Sequence, residues 1–456
     1  MARVRTSSKR CMVNPLKMSQ PLGAALAFLG MEGCMPLFHG SQGCTSFGLV
    51  LLVRHFREAI PLQTTAMTEV TTVLGGLENL EQAILNIVKR TNPKIIGICS
   101  TGPTEIKGDD LVGHIKLIRD RHPVLDSVAL VSVSAPDFAG SLQDGWAGAV
   151  TRMIEELADA PIPHARRSRR VNVLPGSHLT PGDIDELRDI FEAFSLDPVF
   201  LPDLSGSLDG HIPEEFMPTT LGGCSVEQAR TMSSACWTIA LGEQMRGAAI
   251  TLEHRTGVPY VLFDRLTGLQ CCDELLASLS RISGVPVPKK YRRQRSQLID
   301  AMLDGHFYFS GKKIAVAAEP DLLWAWSRWL HEMGCEIQTA VTTTNSPLLT
   351  RIPSEEVVIG DLDDLETLAQ GADLMIANSQ GRQTAGRIGV PLFRVGMPIF
   401  DRLGAAHLMM IGYRGTRDLI FQVGNVLMAQ SHEPTPASWI PPMENTDELV
   451  SINLPH

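Results

Sequence analysis

The sequence predicts an α/β fold of three Rossmann-like domains, each a parallel sheet flanked by helices, and three observations carry that reading. Short apolar, β-rich runs alternate with helix-period segments along most of the chain, the pattern of strand–crossover–strand units. Gly (39) and Pro (29) are plentiful while aromatics make up only 5%, which suits many strand-to-helix corners better than a coiled coil. At 456 residues the chain exceeds what one hydrophobic core usually supports, so about three domains are expected.

Domain boundaries are placed at 1–165, 166–305 and 306–456. In the first domain, 94–100 reads as a buried strand, 111–121 as a helix, 128–133 as the next strand and 146–157 as a helix after a loop. A Pro- and Arg-rich stretch, 160–170, breaks the periodicity and reads as a solvated linker. The pattern restarts with a strand from Val171, and Thr180-Pro181-Gly182-Asp183 opens a capped helix. Strand 199–201, helix 242–256, strand 260–263 and helix 273–282 complete the second block. The polar helix 289–304 then leads into the third, with strand 314–317, helix 322–333, strand 336–343, helix 362–370 and strands 374–377 and 391–395.

Composition narrows the function. A formal charge of -10 argues against a nucleic-acid surface, which needs a Lys/Arg excess. Nine cysteines at irregular spacing in a chain this large suit a reduced cytoplasmic protein better than a disulfide framework. The basic N-terminus before the apolar run 21–29 imitates a secretory signal. Pro21 and Gly23 interrupt that run, however, and no small-x-small cleavage site follows. No Gly-x-Gly-x-x-Gly, Walker loop, His-Glu-x-x-His or Gly-x-Ser-x-Gly occurs, so nucleotide-dependent catalysis has no support. His331 and Cys335 have a metal-like spacing, but Gly334 should end their helix first. Cys271 and Cys272 are adjacent and cannot share a helix face, so they read as packing.

The segment with chemical promise is His39-Gly40-Ser41-Gln42-Gly43-Cys44, which delivers a thiol at a loop tip before a helix expected to start near Thr45 or Ser46. A helix N-terminus and nearby donors favour a thiolate and its ligation to iron. On spacing alone a single Cys in such a turn reads as structural, because a cluster needs about four ligands and no Cys-x-x-Cys supplies the others. A cluster at Cys44 would have to be shared with another subunit. His39 and Arg54 near this turn read equally well as ordinary hydrogen-bonding residues.

Several ordered motifs carry a resemblance over essentially the whole chain. They are Gln20-Pro21-Leu22-Gly23-Ala24, Met35-Pro36 with the Cys44 turn, Met67-Thr68-Glu69, Gly108-Asp109-Asp110-Leu111 and Phe138-Ala139-Gly140-Ser141. Arg387-Ile388-Gly389-Val390-Pro391, Pro398-Ile399-Phe400-Asp401-Arg402 and Gly412-Tyr413 extend it into the last third. Together they resemble the β-subunit family of nitrogenase component 1. The catalytic β-subunit pattern has three cysteines around its P-cluster. Here only Cys44 stands; Ser19 and Gly102 occupy the other two positions, and Cys99 reads as buried packing.

One retained thiol resembles the cofactor-assembly scaffold branch of that family, the β-like partner of NifE. The resemblance implies an α2β2 heterotetramer with a [4Fe-4S] cluster at each interface, held by Cys44 and three NifE cysteines. It further implies that the complex holds the iron-molybdenum cofactor precursor, mainly in NifE, and that no residue of this chain is catalytic. NifB would supply the precursor, and NifH would bring molybdenum, homocitrate and electrons. The product would pass to nitrogenase component 1 or a cofactor carrier, with no nucleic acid or membrane involved. The alternative is a catalytic β-subunit, of nitrogenase or of a protochlorophyllide or chlorin reductase, against which Ser19 and Gly102 weigh.

Overall fold

The computed structural model describes residues 1–9, 14–160 and 169–430. The linker and the basic run read around 160–170 lie mostly outside the described residues, as does the expected first domain boundary. Three parallel sheets run in series, and the chain opens on a strand that belongs to the last of them, β1 (Arg3–Thr6).

The first sheet, in the order β3-β2-β4-β5, comprises β2 (Cys34–His39), β3 (Gln63–Thr64), β4 (Ile95–Ser100) and β5 (Ala129–Val133). Its central strands β2 and β4 are buried along their whole length, as a parallel sheet covered on both faces requires. The helices of this unit are α1 (Gln20–Leu29), α2 (Gln42–Phe56), α3 (Glu69–Leu74), α4 (Leu77–Thr91), α5 (Gly102–Lys107), α6 (Leu111–Arg121) and α7 (Leu142–Leu157). The apolar run that imitated a signal is α1: Pro21 sits in its first turn and every residue from Pro21 to Leu29 is buried. It crosses α7 at backbone contact. A Cβ on Gly23 would fall 1.9 Å from the Leu142 carbonyl oxygen, and one on Gly145 would fall 1.9 Å from that of Gln20.

The second sheet, β7-β6-β8-β9, contains β6 (Arg170–Pro175), β7 (Asp197–Phe200), β8 (Trp237–Leu241) and β9 (Tyr260–Phe263). Around it lie α8 (Pro181–Ala193), α9 (Val226–Arg230), α10 (Arg246–Thr256), α11 (Leu269–Ser283) and α12 (Lys289–Phe309). The third sheet takes in β10 (Lys313–Ala317), β11 (Glu336–Thr342), β12 (Glu356–Ile359), β13 (Leu374–Ala377) and β14 (Leu392–Arg394), ordered β1-β12-β11-β10-β13-β14. Its helices are α13 (Pro320–Glu332), α14 (Leu362–Leu368), α15 (Arg382–Ile388) and α16 (Gly412–Gln430). β1 pairs in parallel with β12, Arg3 opposite Glu356, and both Arg3 and Arg5 bridge to that carboxylate. The N-terminus is thus tied to the far end of the chain.

One continuous apolar core joins the units, running from Phe28 of α1 through Val173 of β6 to Trp326 of α13. Polar ties cross the same seams. Trp146 Nε1 donates to the Pro175 carbonyl at 2.9 Å, and the Asp183 carboxylate accepts from Met410 N at 2.6 Å. Cys34, Cys44, Cys99, Cys224, Cys271, Cys272 and Cys335 are free thiols. Among the described residues no helix is long and apolar enough to cross a membrane.

Candidate functional site

At the carboxyl edge of the first sheet, adjacent parallel strands release their following segments side by side. His39 at the end of β2 registers with Ser100 at the end of β4, so the turn after each strand meets the other. Thr101 Oγ1 donates to the His39 carbonyl at 2.8 Å, and a Cβ on Gly40 would lie 2.1 Å from that hydroxyl, which explains a glycine at that point of the turn.

Cys44 comes from this edge, but not from a loop tip. The helix expected from Thr45 or Ser46 begins at Gln42, with Ser41 in extended conformation as its N-cap. Cys44 is therefore the third helical residue, in the first turn of a 15-residue helix, where backbone N–H groups have no helical acceptor and the dipole favours negative charge. That turn contains no acidic residue, and Ser41 spends no hydroxyl on capping. Its Oγ lies 3.6 Å from Cys44 Sγ instead. The thiol is half-buried, within reach of an incoming group.

Ser19 and Gly102 stand at the starts of neighbouring helices. Ser19 is the N-cap residue of α1 and makes no capping bond with its side chain. The next residue, Gln20, donates from Nε2 to Ala139 O at 2.9 Å, in the loop that follows β5. Gly102 opens α5 directly after β4. Its backbone is not in the left-handed region, and a Cβ there would fall 2.3 Å from Asp137 Oδ1, the end of an exposed side chain that can swing aside. Sequence reasoning passed over Asp137, since only the approach of the β5 loop to α5 brings it there.

Among the described residues, no three His, Cys, Asp or Glu side chains converge to hold a metal ion, so a four-thiolate cluster at Cys44 would need its remaining ligands from outside those residues. Cys34 and Cys99 are strand residues that burial pushes well above the usual thiol range. Cys335 donates to the Phe309 carbonyl behind Gly334, and Cys271 and Cys272 likewise donate to backbone carbonyls.

Below the turn, His39 is fully buried, its Nδ1 3.2 Å from Thr65 Oγ1 and its Nε2 3.9 Å from Asp109 Oδ2. Burial outweighs the carboxylate and lowers the ring's pKa to about 4, so it is neutral at physiological pH. Arg54 serves packing: its guanidinium lies 4.3 Å from the centre of the Phe400 ring, while His55 Nδ1 accepts from Ile399 N at 2.9 Å. This is how α2 docks on the 398–402 motif.

The segments that leave this sheet edge also carry exposed apolar side chains, an apolar collar. Phe47, one turn further along α2, is 66% exposed; Ile106 on α5 is 78% exposed and Phe138 beside Asp137 is 62% exposed. Large side chains left in water on segments that leave one sheet edge are the composition of a contact surface.

Residues 19–428 match the nitrogenase component 1 type oxidoreductase family. The chain is 60% identical over 445 residues to the nitrogenase iron-molybdenum cofactor biosynthesis protein NifN of Bradyrhizobium diazoefficiens, covering 96% of this chain and 95% of the relative. It is 53% identical to the NifN proteins of Mesorhizobium japonicum, with 100% and 99% covered, and of Nostoc sp., with 94% and 96% covered. Among solved structures, a chain of nitrogenase Cp1 at pH 6.5 superposes with a TM-score of 0.88 at 32% identity, covering 93% of this chain and 95% of that one.

Proposed function

This chain belongs to the nitrogenase component 1 type oxidoreductase family, and from that premise we propose that it is the β-like subunit of a scaffold complex in iron-molybdenum cofactor assembly. Its partner is an α-like chain of the NifE type, in an α2β2 heterotetramer. Cys44 supplies one thiolate to a [4Fe-4S] cluster at each interface, and three cysteines of the partner supply the rest. The cofactor precursor is held mainly by the partner, while NifB, NifH and the nitrogenase acceptor come and go. The proposed domains, 1–165, 166–305 and 306–456, put the ligand in the first, and the proposed compartment is the cytoplasm.

The observation that carries this reading is a half-buried thiol in a helix first turn, with Ser19 and Gly102 at the starts of the adjacent helices. A hydroxyl and a hydrogen atom cannot replace soft thiolates, so an eight-iron cluster of the catalytic kind lacks its ligands on this side.

The test is iron content and the EPR signal of the reduced complex, purified anaerobically with its partner. The parent should hold about four irons per interface, and Cys44→Ala should lose most of them while both chains stay folded. Eight irons in the parent would return the catalytic β-subunit reading; unchanged iron in the variant would remove Cys44 from the ligand set.

A further inference from the structure

The turn that leads into α2 is fastened on several sides before the chain reaches Ser41. The His39 carbonyl accepts from Thr101 Oγ1 at 2.8 Å and from Thr104 Oγ1 at 3.3 Å, and the Gly40 carbonyl accepts from Met67 N at 2.9 Å. Gly40 N donates to the Thr65 hydroxyl at 3.0 Å, and all three threonines are buried. These bonds fix the backbone on which Ser41 and Cys44 stand, so what the turn can do rests with their side chains.

Ser225 provides an internal comparison for Ser41. Both are N-cap residues with matching backbones, φ -76° and ψ 156° at Ser41, φ -75° and ψ 157° at Ser225. Ser225 Oγ accepts from the N–H of the third helical residue, Gln228, at 3.1 Å, which is the ordinary capping bond. In α2 the third helical residue is Cys44. Ser41 Oγ forms no bond to its N–H and lies 3.6 Å from its Sγ instead. A hydroxyl and a thiol can each donate to the other, but a thiolate only accepts. Once Cys44 is deprotonated by ligation, Ser41 is therefore the donor. The first turn of α2 holds no acidic residue to compete for that hydroxyl, and a Cβ on Gly43 would meet nothing within 4 Å, so the turn is open to an incoming group.

We propose that Ser41 is a positioning residue for the proposed cluster, donating a hydrogen bond from Oγ to the Cys44 thiolate and thereby raising the cluster's reduction potential. Hydrogen bonds to cluster sulfurs are among the factors that set such potentials, because a donor stabilises the more negative, reduced state. The role rests on Cys44 being a ligand, and the experiment tells the two apart.

The experiment is a redox titration of the complex, purified anaerobically with its partner and followed by the EPR signal of the reduced cluster, with dithionite supplying the one electron each cluster takes up. At the parent's midpoint, Ser41→Ala should hold about tenfold less reduced relative to oxidised cluster, a midpoint about 59 mV lower for a one-electron couple. Ser41→Gly also removes the hydroxyl but keeps a residue that helix starts tolerate, and it should shift alike, so poor folding of one variant does not decide the matter. Ser41→Thr keeps the hydroxyl and should titrate with the parent. A parental midpoint in Ser41→Ala and Ser41→Gly, or an equal fall in Ser41→Thr, overturns the role of Ser41 and leaves Cys44 as a ligand. Unchanged iron in Cys44→Ala removes the ligand and the role together.

Discussion

Single atoms decide the first sheet's edge. Gly23 lies where α1 meets the α7 backbone, so Gly23→Ala drives a Cβ to 1.9 Å from a carbonyl oxygen that cannot swing aside. The expected loss is about 1–3 kcal/mol or more, read as a lower urea midpoint. Gly43 is the control, because a Cβ there meets nothing within 4 Å. Gly43→Ala in the same helical register as Cys44 should be neutral or raise stability by up to about 1 kcal/mol through helix propensity. The double change Ser19→Cys with Gly102→Cys restores the ligand types, and the new Cβ at 102 requires only that the exposed Asp137 carboxylate, 2.3 Å away, swing aside. The expected outcome is an iron content of the complex above that of the parent. An unchanged iron content would show that ligand type alone does not set the cluster's size. That Cys44 lies in a glycine-rich turn leading into a helix was legible; that Asp137 approaches position 102 was not, because 35 positions of sequence separate them and only strand order brings them together.

Elements were legible where pattern and burial agree. The strands at 94–100 and 314–317 and the helices at 111–121 and 146–157 are continuous apolar runs or clean periods, and they stand as β4, β10, α6 and α7. β2 escaped because Pro36 and His39 interrupt its apolar run; Pro36 is tolerated beside a partner, β3, so short that it pairs only with Leu37 and Phe38. β8, β12 and α16 were missed too, and β1 could not have been found, since its partner β12 lies over 350 residues away. The start of α13 shows what such long-range packing costs. Glu319 at its N-cap is half-buried against the first unit, accepting from the Ser141 hydroxyl at 2.5 Å, and desolvation of its carboxylate raises its pKa from 4.5 to about 7. Asp321, which accepts from Gln244 N at 3.0 Å, is likewise raised by burial from 3.8 to about 6. Because the folded state holds these protons more tightly than the unfolded chain, their contribution is complete below about pH 4 and is lost as pH rises through 6 and 7. Glu319→Gln removes one of these ionisations. Its urea midpoint should therefore fall less than the parent's between pH 5 and pH 8, with a difference on the order of 3 kcal/mol at the alkaline end. Parallel pH profiles would show that Glu319 ionises without strain.

On the scale of the whole molecule, the fold separates stability from function. The three sheets share one core and fasten the N-terminal strand to the last sheet, so the chain has the means to fold as a unit. The edge that bears Cys44 is finished differently: Phe47, Ile106 and Phe138, on segments that leave it, stand in water, and no metal-ligand cluster forms there among the described residues. Covering three such side chains is worth about 1.5–3 kcal/mol each, enough to drive association but not to define it. The proposed cluster would supply definition, because only a chain presenting thiolates opposite Cys44 could complete its coordination. The two contributions can be separated. Expressed alone, the parent chain should self-associate, and Phe47→Ser with Ile106→Ser should return it to a monomer by light scattering with its circular dichroism unchanged. Cys44→Ala alone should leave that self-association intact while removing the iron of the complex. With the partner present, the serine double variant should bind more weakly yet still hold iron once assembled, since its ligand is untouched. A parent chain that stays monomeric when expressed alone would place the contact surface elsewhere and leave the collar without a role.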